Sequence, residues 1–272
     1  MYKAFLLALS FPLLLISCKK EGNEVAPIPV TPPVAAPVTC TLQRSNGDNG
    51  TIEVYEYDVN NRIKAVKRHV PAFSNSPARD FTYTFYRDSN NRIVEIIGGN
   101  DAAPEFQQKE TYEYDDQGRW IKNTVTNVPD DKYLKVTVPE YDAQSLMVKA
   151  TETRKNGYNT YVRERTYEYK NGNVISIRTK EGDRITTSLY EYYPDQENLL
   201  SEYERQTYYT FGLGSPPKNK MKSYKHIDNT YVTEGTYSYI FTGPGYVQQQ
   251  TLTASANGSK TSSTFTNTYK CD

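Results

Sequence analysis

Tyrosine returns along this chain at nearly equal intervals. Tyr57, Tyr86, Tyr114, Tyr141, Tyr169 and Tyr192 lie about 28 residues apart until the last step, a period that signals a repeat architecture. Three copies are close. Tyr55, Tyr57 and Asp58 lead through Asn60 and Asn61 to Arg62 and Ile63; Tyr83, Tyr86 and Asp88 lead through Asn90 and Asn91 to Arg92 and Ile93; Tyr112, Tyr114 and Asp115 lead through Gly118 to Arg119 and Ile121. Looser copies follow at Tyr141-Asp142, at Tyr167 to Gly172 and at Tyr190 to Leu200. Tyr-x-Tyr has the period of a strand with one aromatic face. Asp, Asn and Gly then supply turn chemistry, because Asp bonds back to its own turn and Asn and Gly tolerate positive φ. An apolar segment returns, so each copy reads as a β-hairpin. Copies four to six depart from the pattern, and irregular pairing is expected there.

Beyond Arg205 the regularity loosens. Asn219 to Ile227, Tyr231 to Phe241, Tyr246 to Thr253 and Lys260 to Tyr269 read as strands, with turns at Gly243-Pro244-Gly245 and Asn257-Gly258. With an opening strand near Thr39 to Arg44, the count comes to about 15 to 17 strands. No long amphipathic helix is visible. The 25 Tyr, against 9 Phe and 1 Trp, agree with a strand-rich chain. The reading is an all-β antiparallel up-and-down meander in one domain over 38–272.

The first residues are a different region. Lys3 precedes an apolar run from Ala4 to Ile16, which has the n-region and h-region of a secretory signal and is shorter than the roughly 20 residues of a membrane span. The run ends Leu15-Ile16-Ser17-Cys18, which resembles the bacterial lipobox. That resemblance implies cleavage after Ser17, leaving 1–17 as signal peptide, and acylation of Cys18. Several acyl chains give stable anchoring where one does not. Pro27, Pro29, Pro32, Pro33 and Pro37 then forbid helix and ladder pairing and favour an extended spacer. Residues 18–37 are thus expected to be a lipid anchor and tether, and the chain an outer-membrane lipoprotein of the cell envelope with its membrane face open.

The repeat resembles the tyrosine–aspartate (YD, or Rhs-type) repeats, in which Tyr-x-Tyr-Asp precedes a turn and an aliphatic return. Together with the lipobox it looks like the repeat-bearing secreted lipoproteins of the Bacteroidota. That resemblance implies a porin-like β-barrel and is nearly silent on activity.

With Cys18 assigned to lipid, Cys40 and Cys271 remain, one at each end of the folded region. Export permits disulfides. An open meander carries its first and last strands to opposite edges, whereas a barrel brings them together. A Cys40–Cys271 bond would therefore close the seam; two free thiols are the alternative. Charges and hydroxyls interrupt both faces of Tyr161 to Tyr169, Lys132 to Val138 and Arg184 to Tyr190. A lipid-facing strand tolerates these poorly, so a soluble barrel is expected. A wet, tyrosine-lined lumen and a flattened barrel both remain open.

No catalytic constellation stands out. His69 and His226 lack a Ser-His-Asp or Cys-His context, and no metal, phosphate-loop or dinucleotide pattern occurs, so neither cofactor nor metal is expected. Asp58, Asp88, Asp115, Asp142 and Asp195 are read as turn caps rather than calcium ligands or paired acids. Equal acids and bases, 32 each, argue against nucleic acid as partner. Tyr208, Tyr209 and Phe211, beside a Gly-Pro loop, form the best non-repeat aromatic cluster and the candidate ligand contact. The function expected is binding of a glycan, peptide or protein partner. The alternatives are a structural shell or a hydrolase with an unrecognised site.

Overall fold

The computed structural model describes residues 40–74, 76–103, 107–128, 133–199, 213–228, 231–242, 245–256 and 258–271. The lipobox, with Cys18, and the cluster of Tyr208, Tyr209 and Phe211 lie outside them. Sixteen strands run in chain order. The first six are β1 (Cys40–Gly47), β2 (Ile52–Tyr57), β3 (Ile63–Val70), β4 (Arg79–Arg87), β5 (Ile93–Asn100) and β6 (Gln107–Tyr114). Next come β7 (Trp120–Val128), β8 (Tyr133–Tyr141), β9 (Met147–Asn156), β10 (Asn159–Lys170) and β11 (Asn173–Glu181). The last five are β12 (Arg184–Glu197), β13 (Asn219–Ile227), β14 (Val232–Phe241), β15 (Val247–Ala256) and β16 (Ser259–Cys271). Each strand pairs antiparallel with its neighbour in sequence, and β1 pairs with β16, so the meander closes into a barrel. Cys40 and Cys271 are partners in that last ladder and form a disulfide. The seam is closed both by main-chain bonds and by a covalent one.

The turns show why the repeat folds as it does. The Asp58 carboxylate accepts from the amides of Asn60 and Arg62 and from the Arg62 guanidinium, at 2.8 to 3.0 Å. Asp88 holds Arg92, and Asp115 holds Arg119, in the same way. Asn61 and Asn91 take the positive φ that each turn needs. Asp142, though its copy departs from the motif, caps the amides of Gln144 and Leu146 in the same way, with Leu146 in the place of the arginine. Asp195 does not. It lies inside β12, because the inserted Tyr193-Pro194 carries the strand past a bulge between Tyr192 and Glu197, and the capping role expected of it fails.

A second regularity lies beneath the turns. Ladders between successive hairpins stop two to four residues short of the start of the earlier strand: Glu95, for example, is the last β5 residue paired with β6. The orphaned carbonyl of Ile93 then accepts the Tyr114 hydroxyl at 2.6 Å. Tyr57 bonds Leu42, Tyr141 bonds Trp120, Tyr169 bonds Met147, Tyr239 bonds Met221 and Tyr269 bonds Val247 in the same manner, at 2.7 to 3.0 Å. Buried carbonyls need a donor, and here a side chain continues the ladder where backbone cannot. In the second copy the equivalent residue is Arg87, whose guanidinium reaches the Ile63 carbonyl. Tyr86, one of the periodic tyrosines, points outward instead and is half exposed. Arg92 and Arg119 further stack over the rings of Tyr114 and Tyr141. Each hairpin thus clips the next.

Among the described residues, the buried cluster inside draws on β1 to β7 and β9 to β11, with Tyr190 of β12 and Tyr269 of β16 packed against it. Tyr55, Val66, Phe85, Ile96, Tyr112, Trp120, Met147, Tyr167 and Ile177 belong to it. The segment at 213–218 adds to it from the aspartate-turn end. Gly214 lies against the rings of Tyr167 and Tyr169, where a Cβ would collide. Ser215 accepts from the Met147 amide through its hydroxyl and donates its own amide to the Tyr169 hydroxyl. A sixteen-strand barrel would otherwise leave an aqueous channel, but on the side of β1 to β11 this end is filled with side chains.

Candidate functional site

Towards the opposite end the packing opens. Along β4 the inward series Phe85, Tyr83, Phe81, Arg79 runs from buried to exposed. Along β10 the series Tyr167, Arg165, Arg163, Tyr161 does the same. The lumen is therefore a cup, closed beneath by the tyrosine layer and open at the rim of the hairpin tips.

Two cavities occupy the cup. The first, about 390 Å³, is lined by Arg79, Phe81, Tyr83, Gly98, Asn100, Gln108 and Glu110, over Ile96 and Val125. Glycine is required at 98: a Cβ there would strike the Tyr83 ring and the Thr82 carbonyl. The ring lies across the bare backbone, and with Phe81 it gives an aromatic wall facing amide and carboxylate groups. That combination of apolar faces with a few directed polar groups is what small polar ligands use. Glu110 is held by the Asn123 amide at 2.8 Å, which fixes one side of this wall.

The second, about 220 Å³, is lined by Arg163, Arg165, Thr179, Glu181, Arg184, Thr186 and His226. Glu152, nearly buried below it, lies 2.5 Å from Arg154, 3.3 Å from Arg165 and 3.7 Å from Arg163. Burial alone would raise the Glu152 carboxyl, but the charges of Arg165, Arg154, Lys135 and Arg163 more than offset it and hold the group below its ordinary value. Arg163 also forks onto Glu181, and Arg184 pairs with the buried Asp228. His226 accepts or donates at 2.9 Å to Ser188; His69 stands on the outer face beside Asp80. Neither histidine meets a nucleophile–base pair of catalytic form.

A larger hollow of about 520 Å³ lies over β12 to β15. Its Glu191, Lys225, Glu234 and Lys260 are exposed to solvent, so it offers less enclosure than the cup.

The chemistry of the cup escaped the sequence reading, which set its candidate ligand contact at Tyr208, Tyr209 and Phe211. The signal lay in the alternation of Tyr161, Arg163, Arg165 and Tyr167, where two guanidiniums share the aromatic face of a strand.

Comparison with known proteins supports the architecture. No protein-family profile matches the sequence, and no curated protein matches it either. Among solved structures, the barrel resembles the crystal structure of a porin-like protein from Bacteroides uniformis, with a TM-score of 0.58 and 14% identity over 84% of this chain and 98% of that one. The class is thus a closed, porin-like β-barrel; at this identity the likeness concerns the fold alone.

Proposed function

We propose that this chain is an exported binding protein of the cell envelope, held to the outer membrane by lipid on Cys18, that takes a small polar ligand in the open half of its lumen. The ligand class is a glycan or a peptide. The observation that carries the reading is the cup itself: a lumen sealed at the tyrosine layer and lined at the other end by Phe81, Tyr83, Asn100, Gln108 and Glu110. A purely structural shell has no need of one filled end and one polar, aromatic end.

The outer wall supports a barrel that stands in water. Lys67–Glu56, Lys122–Glu113 and Lys149–Glu140 form cross-strand ion pairs on it at 2.7 to 3.2 Å. A lysine at mid-bilayer costs about 2–4 kcal/mol, and these pairs recur around the wall.

The test is a glycan and peptide array probed with the wild-type protein and with Phe81→Ala. Loss of the wild-type ligand in Phe81→Ala is the expected result. Silence of the wild-type protein across both arrays would remove the binding reading and favour the shell. Cys18→Ser, in the same experiment, should move the protein from membrane to soluble fraction while leaving array binding intact.

A further inference from the structure

The acid–base balance of the whole chain does not hold inside the cup. On the outer wall Lys67, Lys109 and Lys122 each pair with a glutamate. On the lumenal wall of β8 to β12 the cations are Lys135, Arg154, Arg163, Arg165 and Arg184, and the acids are Glu152, Glu181 and the rim residue Asp228. One buried carboxylate, Glu152, serves three guanidiniums. Arg165 and Arg163 are largely withdrawn from water, whereas Arg184 stands exposed at the rim on Asp228. Withdrawn cations cost free energy unless an anion answers them, and among the described residues Arg165, Arg163 and Arg154 share the single carboxylate of Glu152 with Glu181 beside it.

We propose that this wall binds the carboxylate of an acidic saccharide, seated in the cavity between Arg163, Arg165 and Arg184. The inference deepens the binding function proposed above and rests on it. Guanidinium groups grip carboxylates by paired N–H bonds, and here they line a space already shaped by neighbouring strands. Thr179 and Thr186, cross-strand partners on β11 and β12, place hydroxyls beside them that can give and accept bonds from sugar hydroxyls. The volume, about 220 Å³, falls below the roughly 300 Å³ at which drug-sized pockets begin. It suits one charged ring, not a lipid. Glu152 and Glu181 hold the guanidiniums in place and exclude a second anion.

The experiment is calorimetric titration of the full exported chain with D-glucuronate, D-glucose and inorganic sulfate, on the wild type and on Arg163→Gln, Glu181→Gln and Phe81→Ala. Glucuronate is expected to bind at least about tenfold more tightly than glucose, the ratio that one charge-assisted contact supports. Arg163→Gln should weaken glucuronate by about tenfold. Glu181→Gln, which removes a competing acid, should strengthen it; a residue that merely props the fold would not have that effect. Equal affinity for glucose and glucuronate, or glucuronate binding indifferent to both charge variants, overturns the inference. Sulfate binding as tightly as glucuronate overturns it in favour of a bare anion site. If glucose or a neutral array ligand binds and is lost in Phe81→Ala while glucuronate gains nothing, the binding function stands and the acidic specificity falls. If nothing binds in the lumen by array or titration, both fall.

Discussion

On β6 the inward rings of Tyr112 and Tyr114 meet aliphatic and aromatic neighbours from other hairpins, and Tyr112 is almost wholly buried, edge-on to Trp120. On β14 the inward rings of Tyr237 and Tyr239 meet other rings: they lie parallel 6.3 Å apart, with Tyr224 beside Tyr237 and Tyr193 and Phe241 beside Tyr239. Both strands use Tyr-x-Tyr, and both send the second hydroxyl to a return-strand carbonyl. What differs is the returning strand. Ile93 and Ile96 in β5, or Val174 and Ile177 in β11, give the rings branched aliphatic surface to pack on. In β15 Val247, at the place of Ile93, is buried, but Gln250 stands at the place of Ile96 and Gln249, Thr251 and Thr253 surround it. Burial and the neighbouring phenols of Tyr224 and Tyr190 still push the Tyr237 hydroxyl up to about 12, so this side is not simply wet. Among the described residues it is packed ring on ring along a wall, with Tyr190 and Tyr269 reaching the shared core. Hydrogen bonding sets the path of the chain in both regions, and apolar burial separates a consolidated half from a looser one.

The largest test of that difference is at the seam, where the two halves are joined. The Cys40–Cys271 bond spans 231 residues of sequence, and closing so long a loop restricts the unfolded chain by about 5 kcal/mol in the chain-entropy treatment. Removing both thiols as Cys40→Ser/Cys271→Ser should lower stability by an amount of that order. The loss should be uneven: amide exchange should rise first in β12 to β16, and last in β3 to β11. A uniform rise across all sixteen strands would mean that the difference in packing is not a difference in stability.

A paired substitution sharpens the same contrast. Tyr112→Ala removes a ring from the shared core and should cost about 3–5 kcal/mol. Tyr237→Ala removes a half-buried ring whose neighbours can lean into the gap, and should cost about half as much. Urea denaturation of the two variants beside the wild type decides it. Equal losses would show that the stacked rings of the later half consolidate it as well as the aliphatic returns consolidate the first.

How far the sequence disclosed this follows from what each residue needs. The hairpins around Asp58, Asp88 and Asp115 were legible because turn chemistry is local: Asp, Asn and Gly act within five residues. Closure was legible through Cys40 and Cys271, since a bond between the two ends of a meander requires its outermost strands to meet. Strands β13 to β16 fell within a few residues of their expected bounds because Gly and Asn mark the turns between them. Tyr86 misled because an aromatic one residue out of register keeps the composition of the motif while facing the wrong way. Asp195 misled because nothing local shows that Tyr193-Pro194 would extend a strand. The cup was hidden for a different reason. Arg79, Arg163 and Arg184 are far apart in sequence, and only the closed register brings their side chains to one rim.

The smallest expected effect concerns the turns themselves. Thr242, Gly245 and Tyr246, in the looser half, make the main-chain bonds of the repeat turn with a neutral cap: the Thr242 amide donates to the Tyr246 carbonyl, the Gly245 amide to the Thr242 carbonyl, and the Tyr246 amide to the Thr242 hydroxyl. Asp58 and Asp88 make the same main-chain pattern with a carboxylate. The backbone amides of Arg62 and Arg92, with the guanidiniums of the same arginines, hold those two carboxyls below their ordinary value against the opposing effect of burial. At Asp115 burial opposes the shift, and the guanidinium and amide of Arg119 outweigh it. Each folded pKa thus lies below the unfolded value of about 3.9, so the folded form binds fewer protons there. The stabilisation is fully present above about pH 4 and drains as pH falls through the folded values. Acidification from pH 5 towards 2 should therefore speed amide exchange at 58–62, 88–92 and 115–119 before it does at 242–246. Asp115→Asn should flatten that response in its own turn alone, because an amide can cap the backbone without titrating. A response at 242–246 as early as at the aspartate turns would trace the acid sensitivity to the barrel as a whole rather than to its caps.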